Sequence, residues 1–154
     1  MLEERLEIAR SLGLHTCNLA TENYFEKCSS ILGSTFGFAG PAIDADYYVD
    51  AAGKQAVIDS FINYGKGMSK LVVAGIHAQP ATINLIPLTY TGMQIIGTAG
   101  ADDYVIRLVM EILASNKFTM KNIITHEYSQ DEINEALQMA GNVKEAVKVV
   151  IKYE

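Results

Sequence analysis

The sequence predicts an α/β protein built on a doubly wound parallel sheet. Strand-length apolar segments alternate with helical patterns of about ten to fourteen residues, which is typical of a parallel sheet covered by helices on both faces. Residues 71–76 form a continuous apolar run, the pattern of a strand buried on both faces. Hydrophobic residues make up 49% of the 154 residues and charged residues 19%. A chain of this length and balance can bury a core without disulfides or metals, and we expect one domain over residues 1–154.

The first half of the chain carries the clearest alternation. Glycines at positions 13 and 33 end two apolar helical patterns, as glycine commonly does after a helix. The predicted elements are, in order, a helix over residues 2–12, a strand over 15–19, a helix over 24–32, an irregular loop over 33–44, a strand over 45–51, a helix over 54–64 and a strand over 71–76.

The second half repeats the alternation less regularly. Ser129 and Glu132 have the spacing of a capping box, which predicts the start of a helix that extends to about residue 140. The other predicted elements are a strand over residues 82–85, a short turn or helix over 87–93, a strand over 94–98, a helix over 102–115, a strand over 122–127 and a strand over 147–151.

Composition and charge exclude several classes of function. The net charge of −6 disfavours nucleic acid as a partner, because that binding depends largely on Lys and Arg. No apolar run approaches the roughly 18 residues that span a bilayer, so a membrane protein is not expected. The start of the sequence, MLEER, has neither a basic nor an apolar signal region, and we expect a cytoplasmic location.

Three segments follow predicted strands and could bind a ligand. They are residues 50–53, 75–77 and 97–100, and parallel sheets bind ligands at the carboxyl ends of their strands. Their glycines and alanines would let a flat ligand approach the backbone closely. The same residues would also serve if the segments were no more than tight turns between strands and helices.

Other constellations of catalytic or ligating residues are absent from the sequence pattern. Residues 65–69 resemble the end of a phosphate-binding loop, but Ser60 stands where the first glycine is required, and the segment follows a helix instead of a strand. His15, His77 and His126 are scattered without metal-ligand spacing. His77 is expected to be a solvated loop residue.

Five segments of the chain resemble, in order, the cofactor-binding domain of the zinc-type, medium-chain alcohol dehydrogenases, particularly the polyol and threonine dehydrogenase branch. The segments are EERLEIARSLGLHTCNL, DADYYVDAAG, KLVVAGI, TYTGMQIIGTAG and ITHEYSQDEINEALQMAGNVKEAVKVVI. The resemblance covers nearly the whole chain except residues 33–43.

The resemblance implies a Rossmann-like domain that binds NAD or NADP within an enzyme that oxidises an alcohol by hydride transfer. It also implies the cofactor contacts. These are Arg5 near the adenosine ribose, Ala51 and Ala52 at a turn beside the cofactor, Gly75, Ile76, Gly97 and Thr98 in the segments that flank the nicotinamide carboxamide, and Lys148 near the pyrophosphate.

The same resemblance implies that this chain lacks the first two strands and the glycine-rich loop of that domain. The acid that discriminates NAD from NADP belongs to the second of those strands, so the choice of cofactor stays open. Zinc is expected only in a separate catalytic domain that the chain does not contain. No catalytic or metal-binding residue is therefore assigned, and the chain alone is expected to be inactive.

Two alternative functions remain open. The chain could be a non-catalytic nucleotide-binding or interaction domain that kept the fold and lost the chemistry. It could also belong to the zinc-free quinone-reductase branch of the same superfamily, which loosely shares the EINEA and IIG segments.

Missing strands would leave a sheet edge without its neighbour. In the strand order 3-2-1-4-5-6 the first two strands separate the third from the fourth, so the strand near Tyr48 would be exposed along one edge. We expect either that residues 15–19 dock beside it or that another chain pairs with it. The family pairs subunits through the stretch that resembles residues 82–98, so a homodimer there is a separate expectation.

Overall fold

The computed structural model describes residues 3–117 and 120–153, so Leu2, the first position of the first predicted helix, lies outside it. One compact unit is Glu22–Gly100, and the other takes in the residues up to Thr21 and from Ala101 onward. In chain order the elements are α1 (Glu3–Ser11), α2 (Tyr24–Leu32), β1 (Ser34–Gly37), β2 (Gly40–Ile43), β3 (Tyr47–Asp50), α3 (Gln55–Tyr64), β4 (Lys70–Val73), α4 (Leu85–Thr91), β5 (Gln94–Gly97), α5 (Asp103–Ala114), β6 (Ile124–Ser129), α6 (Ile133–Gly141) and β7 (Lys148–Lys152).

A three-stranded parallel sheet organises the unit Glu22–Gly100. Its strand order is β3-β4-β5, and β4 pairs in parallel with both neighbours. The predicted strands over residues 45–51, 71–76 and 94–98 are therefore present, in shorter form. This arrangement confirms the predicted α/β class with parallel strands.

Helix α3 covers one face of this sheet. Its apolar side chains recur at helical spacing, and Ile58, Phe61 and Ile62 form a buried cluster with Leu71 and Met93. Phe61 and Leu71 are completely buried. The core of this unit therefore lies between α3 and the sheet, and it holds the strands in place below the candidate site.

The other face of the same sheet is largely uncovered. Tyr47 and Val49 point to it and are 70% and 65% exposed, and Ile96 is 41% exposed. Because side chains alternate along a strand, these residues lie opposite the face that packs on α3. A doubly wound sheet buries both faces, whereas this face of the described sheet stays open.

A hairpin replaces the irregular loop predicted over residues 33–44. Strands β1 and β2 pair antiparallel, with Gly37 opposite Gly40 at the closed end. Gly40 has a φ of +131°, which few residues other than glycine adopt. The density of glycine with Pro41 favours a loop by composition, but the same residues suit a tight two-residue connection and an edge strand.

The second unit contains the parallel pair β6 and β7 with helices α1 and α6. The predicted capping box is present: the carboxylate of Glu132 accepts hydrogen bonds from the backbone N–H and the hydroxyl of Ser129. A 3₁₀ turn over Gln130–Glu132 precedes α6. Among the described residues of this unit, the buried apolar ones are Leu6, Ala136 and Ala146.

Two predicted strands are wrong. Residues 14–18, all described, form neither helix nor strand, and the side chain of Asn18 closes a turn by accepting from the N–H of Ala20. These residues thus offer no strand for pairing, and among the described strands β3 pairs with β4 alone. Residues 82–84 are irregular because Asn84 caps helix α4, accepting from the N–H of Ile86.

None of the helices within the described ranges combines the length and the apolar content that crossing a membrane requires.

Candidate functional site

The carboxyl ends of the three parallel strands lie side by side. At the last position of each register, Asp50 pairs with Val73 and Val73 pairs with Gly97. The chain that continues from these positions carries the predicted cofactor contacts Ala51, Ala52, Gly75, Ile76 and Thr98. We call this part of the unit the carboxyl edge. It is the place where open parallel sheets bind ligands, and it is the candidate site.

Arg5 and Lys148, the other two predicted contacts, belong to the second unit. The Arg5 guanidinium donates to the backbone carbonyls of Val143 at 3.3 Å and Ala146 at 2.8 Å. Arg5 thereby ties α1 to the chain that follows α6. Lys148 is the first residue of β7 and is exposed. The structure thus groups the other predicted contacts in one unit and leaves these two outside it.

Asp50 joins the turns that follow β3 and β4. Its side chain is fully buried, and Oδ1 accepts from the N–H groups of Ala52 and Gly53, both at 2.9 Å. Its backbone carbonyl accepts from the N–H groups of Ala74 at 2.9 Å and Gly75 at 2.7 Å. One residue therefore fixes the backbone of both turns that carry predicted cofactor contacts.

The second carboxylate oxygen of Asp50 bonds a histidine. Oδ2 lies 2.7 Å from Nε2 of His77, whose side chain is only 18% exposed. Burial acts to raise the pKa of Asp50, but the hydrogen bonds from Ala52, Gly53 and His77 outweigh it and hold the pKa below its ordinary value. Asp50 is thus a buried carboxylate that stays ionised, with a donor for each oxygen.

His77 is therefore not the solvated loop residue that the sequence predicts. The histidine follows β4 and the aspartate ends β3, so neighbouring parallel strands bring together two residues that are far apart in sequence. Spacing along the chain contains no sign of this contact. The one available signal was that both residues follow or end apolar strand segments.

Two glycines at the carboxyl edge serve backbone packing. A methyl group on Gly53 would overlap the carbonyl of Ile76, and one on Gly75 would overlap the backbone N of Gly53. Gly53 also has a φ of +61°. The bare backbones of the two turns therefore lie directly against each other, which confirms the tight-turn interpretation for this pair of glycines.

Gly97 has open space around it, in contrast. No described atom lies within 4 Å of a methyl group built on it. Thr98, the next residue, bonds the carbonyl of Val73 through its N–H at 3.2 Å and its hydroxyl at 3.1 Å. Ile76, on the neighbouring turn, is 93% exposed. A flat ligand could approach the backbone at Gly97 and lie against the apolar side chain of Ile76.

A small cavity lies beside these turns. Its volume is about 160 Å³, and its walls are residues 53–55 and 77–81. Gln55 fastens the far side of the loop, because its amide donates to the carbonyl of Thr82 at 2.8 Å and accepts from the N–H of Thr82 at 2.9 Å. The loop after β4 is therefore held at one end by Asp50 and at the other by Gln55.

The residues at the carboxyl edge leave room for a flat group. The open backbone at Gly97 and the small side chains of Ala51 and Ala52 suit a flat group. Within the described ranges, no three His, Cys, Asp or Glu side chains converge as metal ligands would. The geometry thus supports binding of a flat organic ligand at the carboxyl edge.

The fold that carries this edge is the nucleotide-binding α/β fold of the alcohol dehydrogenases. 2R,3R-butanediol dehydrogenase from Bacillus subtilis superposes with a TM-score of 0.81 at 18% identity, covering 100% of this chain and 42% of that one. A short chain alcohol dehydrogenase from Escherichia coli CFT073, in complex with NADH, superposes with a TM-score of 0.76 at 16% identity, covering 99% and 42%. At these identities the likeness shows the fold.

Sequence similarity extends to particular enzymes. L-threonine 3-dehydrogenase from Vibrio parahaemolyticus is 24% identical over 152 residues, which are 99% of this chain and 42% of that enzyme. No protein-family model matches the chain. The chain thus spans about two fifths of the length of the enzymes it matches. The predicted resemblance to the threonine dehydrogenase branch is confirmed.

Proposed function

We propose that this chain supplies part of the cofactor-binding region of an NAD(P)-dependent alcohol dehydrogenase, with the nicotinamide end of the cofactor at the carboxyl edge. The observation that carries the proposal is the register of β3, β4 and β5, which brings Asp50, Val73 and Gly97 into line. The similarity to threonine dehydrogenases and the NADH complex of a protein with this fold support it.

In this proposal the chain's own residues bind and orient the cofactor. Ile76 presents an apolar surface, and the bare backbone at Gly97 lets a ring approach closely. The nicotinamide cofactor, when bound, supplies the hydride acceptor or donor. Catalytic zinc, if the enzyme uses it, is proposed to belong to the part of the enzyme that this chain does not match.

Cofactor binding by the chain alone is expected to be weak. The sequence contains no Gly-x-Gly-x-x-Gly segment, whose backbone N–H groups at a helix N-terminus would bind the pyrophosphate. A titration that follows NADH fluorescence should give a dissociation constant in the millimolar range. Micromolar affinity would contradict this expectation.

A chimera tests the enzyme proposal directly. The chain replaces the matched 42% of the Vibrio parahaemolyticus enzyme, and NAD reduction is followed with L-threonine and a panel of secondary alcohols. The chimera should turn over at least one of these alcohols, whereas the chain alone should turn over none. The matched control is the Vibrio enzyme truncated at the same junction. A folded chimera that binds no NADH would overturn the proposal.

Self-association and a cytoplasmic location are further parts of the proposal. Tyr47 and Val49 expose apolar surface on β3, and Leu85 and Tyr90 on α4 are 63% and 78% exposed. Apolar patches of this kind commonly mark interaction surfaces. We therefore propose a homo-oligomer that forms through the β3 edge or through residues 82–98. A cytoplasmic location suits an enzyme that uses the intracellular pool of NAD(P).

A further inference from the structure

We propose that His77 contacts the ligand of the carboxyl edge, and that Asp50 positions it to accept a hydrogen bond from a hydroxyl or an amide N–H group of that ligand. The inference rests on the proposed function, because it names a contact within the same site. It adds a polar side-chain contact to a site that otherwise consists of backbone, small residues and the apolar side chain of Ile76.

The orientation of the imidazole is set by Asp50. An ionised carboxylate can only accept hydrogen bonds, so at 2.7 Å it requires the proton on Nε2 of His77. In the neutral ring this leaves Nδ1 as an acceptor. Among the described residues Nδ1 has no hydrogen-bond partner. In that neutral form, the buried carboxylate holds the ring in one tautomer, with Nδ1 as its acceptor atom.

The surroundings of His77 indicate the size of the group that it would bind. The ring lines the cavity of about 160 Å³, whereas pockets for whole drug-sized ligands are about 300–1,000 Å³. A sugar hydroxyl or a carboxamide fits such a space, and a complete dinucleotide does not. The group would enter as one part of a ligand that otherwise lies along the carboxyl edge.

The charged residues around the cavity bear on which ligand group His77 would bind, and they favour a neutral hydrogen-bond donor. Lys54 lines the same cavity and contributes a positive charge, and Asp50, the nearby carboxylate, is buried and already bonded. Gln55 and Asp59, on α3, bond each other at 2.8 Å. An acceptor at Nδ1 selects a hydroxyl or an amide N–H, and Lys54 makes the cavity less favourable for a cationic group.

Nitrogen NMR of the ¹⁵N-histidine-labelled chain tests both parts of the inference, the positioning of the ring by Asp50 and the contact between His77 and the ligand. In the neutral form, His77 should show an Nε2–H proton that exchanges slowly, because the buried carboxylate holds it. His15 and His126 are internal controls and should show fast exchange. Millimolar NADH should then move the Nδ1 resonance of His77 upfield, as expected for an atom that accepts a hydrogen bond. An Nε2–H that exchanges as fast as in the controls would overturn the role of Asp50.

The backbone amides separate the possible failures. NADH that shifts the Gly97 and Thr98 amides and leaves the His77 ring unchanged would overturn this inference while the proposed function stands. NADH that shifts none of the amides at the carboxyl edge would overturn both.

Matched variants extend the test. His77→Gln keeps a donor for Asp50 but has no acceptor at the position of Nδ1, so the dissociation constant of NADH should rise about fivefold, the effect of one neutral hydrogen bond. His126→Gln, in the other unit, is the control and should leave the dissociation constant of NADH unchanged. Asp50→Asn should speed the exchange of the Nε2–H and weaken NADH binding. Equal affinity in His77→Gln and wild type would overturn the inference.

Discussion

A carboxylate that is buried at the end of a parallel strand needs hydrogen-bond donors from the turns around it. Asp50 has three for its side chain: the N–H groups of Ala52 and Gly53 and the ring of His77. Each of these donors would be left without its partner if the carboxylate were removed. At the residue scale, the geometry of the candidate site therefore depends on a side chain that reaches no solvent.

Asp50→Ala should lower the free energy of unfolding by about 3 kcal/mol, since three donors lose their acceptor. The pKa of Asp50 is lower in the folded state than in the unfolded chain, so its contribution is complete above about pH 4 and is lost as the pH falls through the folded-state pKa. Urea unfolding of wild type and Asp50→Ala from pH 7 to pH 2 measures this difference in the free energy of unfolding.

The matched control for Asp50 is Asp46→Ala, whose carboxylate is largely exposed and pairs with Lys66 at the surface. This variant should change stability little. A stability difference between wild type and Asp50→Ala that stays constant down to pH 2 would contradict the assignment of the ionised form.

Glycine substitutions separate packing from open space at the carboxyl edge. Gly53→Ala and Gly75→Ala should each destabilise by about 2 kcal/mol or more, because the added methyl group overlaps the facing backbone. Gly97→Ala is the control and should keep wild-type stability, since its methyl group meets no described atom. Thermal unfolding compares the three. A loss for Gly97→Ala as large as that for Gly53→Ala would show that the open space does not exist.

At the element scale, the sequence signals that proved dependable are local ones. The spacing of apolar residues predicts α1, α2, α3 and α5 within a few residues of their observed bounds, and each helix buries or presents one apolar face. The capping box of Ser129 and Glu132 is present as predicted because both partners lie within one turn. Local hydrogen bonds require no knowledge of the rest of the fold.

Removal of that cap is expected to loosen the start of α6. In Ser129→Ala, the Glu132 carboxylate loses the hydroxyl and keeps only the backbone N–H of residue 129. Amides of the following turn should exchange with solvent faster than in wild type. Ser30→Ala is the control, because that hydroxyl bonds only the carbonyl of Lys27 within α2. Unchanged exchange in Ser129→Ala would contradict a stabilising role for the cap.

The pH dependence of the same cap has a defined sign. The backbone N–H and the hydroxyl of Ser129 hold the pKa of Glu132 below its ordinary value. The cap should therefore be intact above about pH 4.3 and weaken as the pH falls through the folded-state pKa.

Strands are harder to predict from sequence than helices, because a strand exists only where a neighbour pairs with it. Residues 15–19 have strand-forming composition and form no strand, whereas β1 and β2 form a hairpin in a stretch rich in glycine. In both places, whether a strand forms depends on pairing with other segments of the chain, which residue propensities do not describe. The sequence alone contains no reliable sign of it.

At the scale of the whole molecule, apolar surface remains exposed in both units. Every residue of α5 is exposed, although the helix carries a broad apolar face that includes Val105, Leu108, Val109 and Ile112. The uncovered sheet face at Tyr47 and Val49 adds to it. A region that spans two fifths of its relatives would expose such surfaces if the remaining three fifths normally covered them.

The homo-oligomer proposal leads to a test with three lysine variants. Val49→Lys places a charge on β3 and should lower self-association, because charge blocks pairing at a sheet edge. Leu85→Lys tests residues 82–98 in the same way. Leu137→Lys on α6 is the control, since this side chain is 67% exposed and belongs to the other unit. Sedimentation velocity over a range of concentrations gives the result. A wild-type chain that stays monomeric throughout would contradict the proposal.

The sequence by itself determined the α/β class, the helices, the capping box and the positions of the segments that end parallel strands. These follow from periodicity and from contacts within one or two turns of chain. The tertiary structure alone decided that Asp50 is buried against His77, that Gly53 and Gly75 pack backbone to backbone, and that Gly97 stays open. Parallel strands bring together residues that are distant along the chain, and that proximity exists only once the sheet has formed its register.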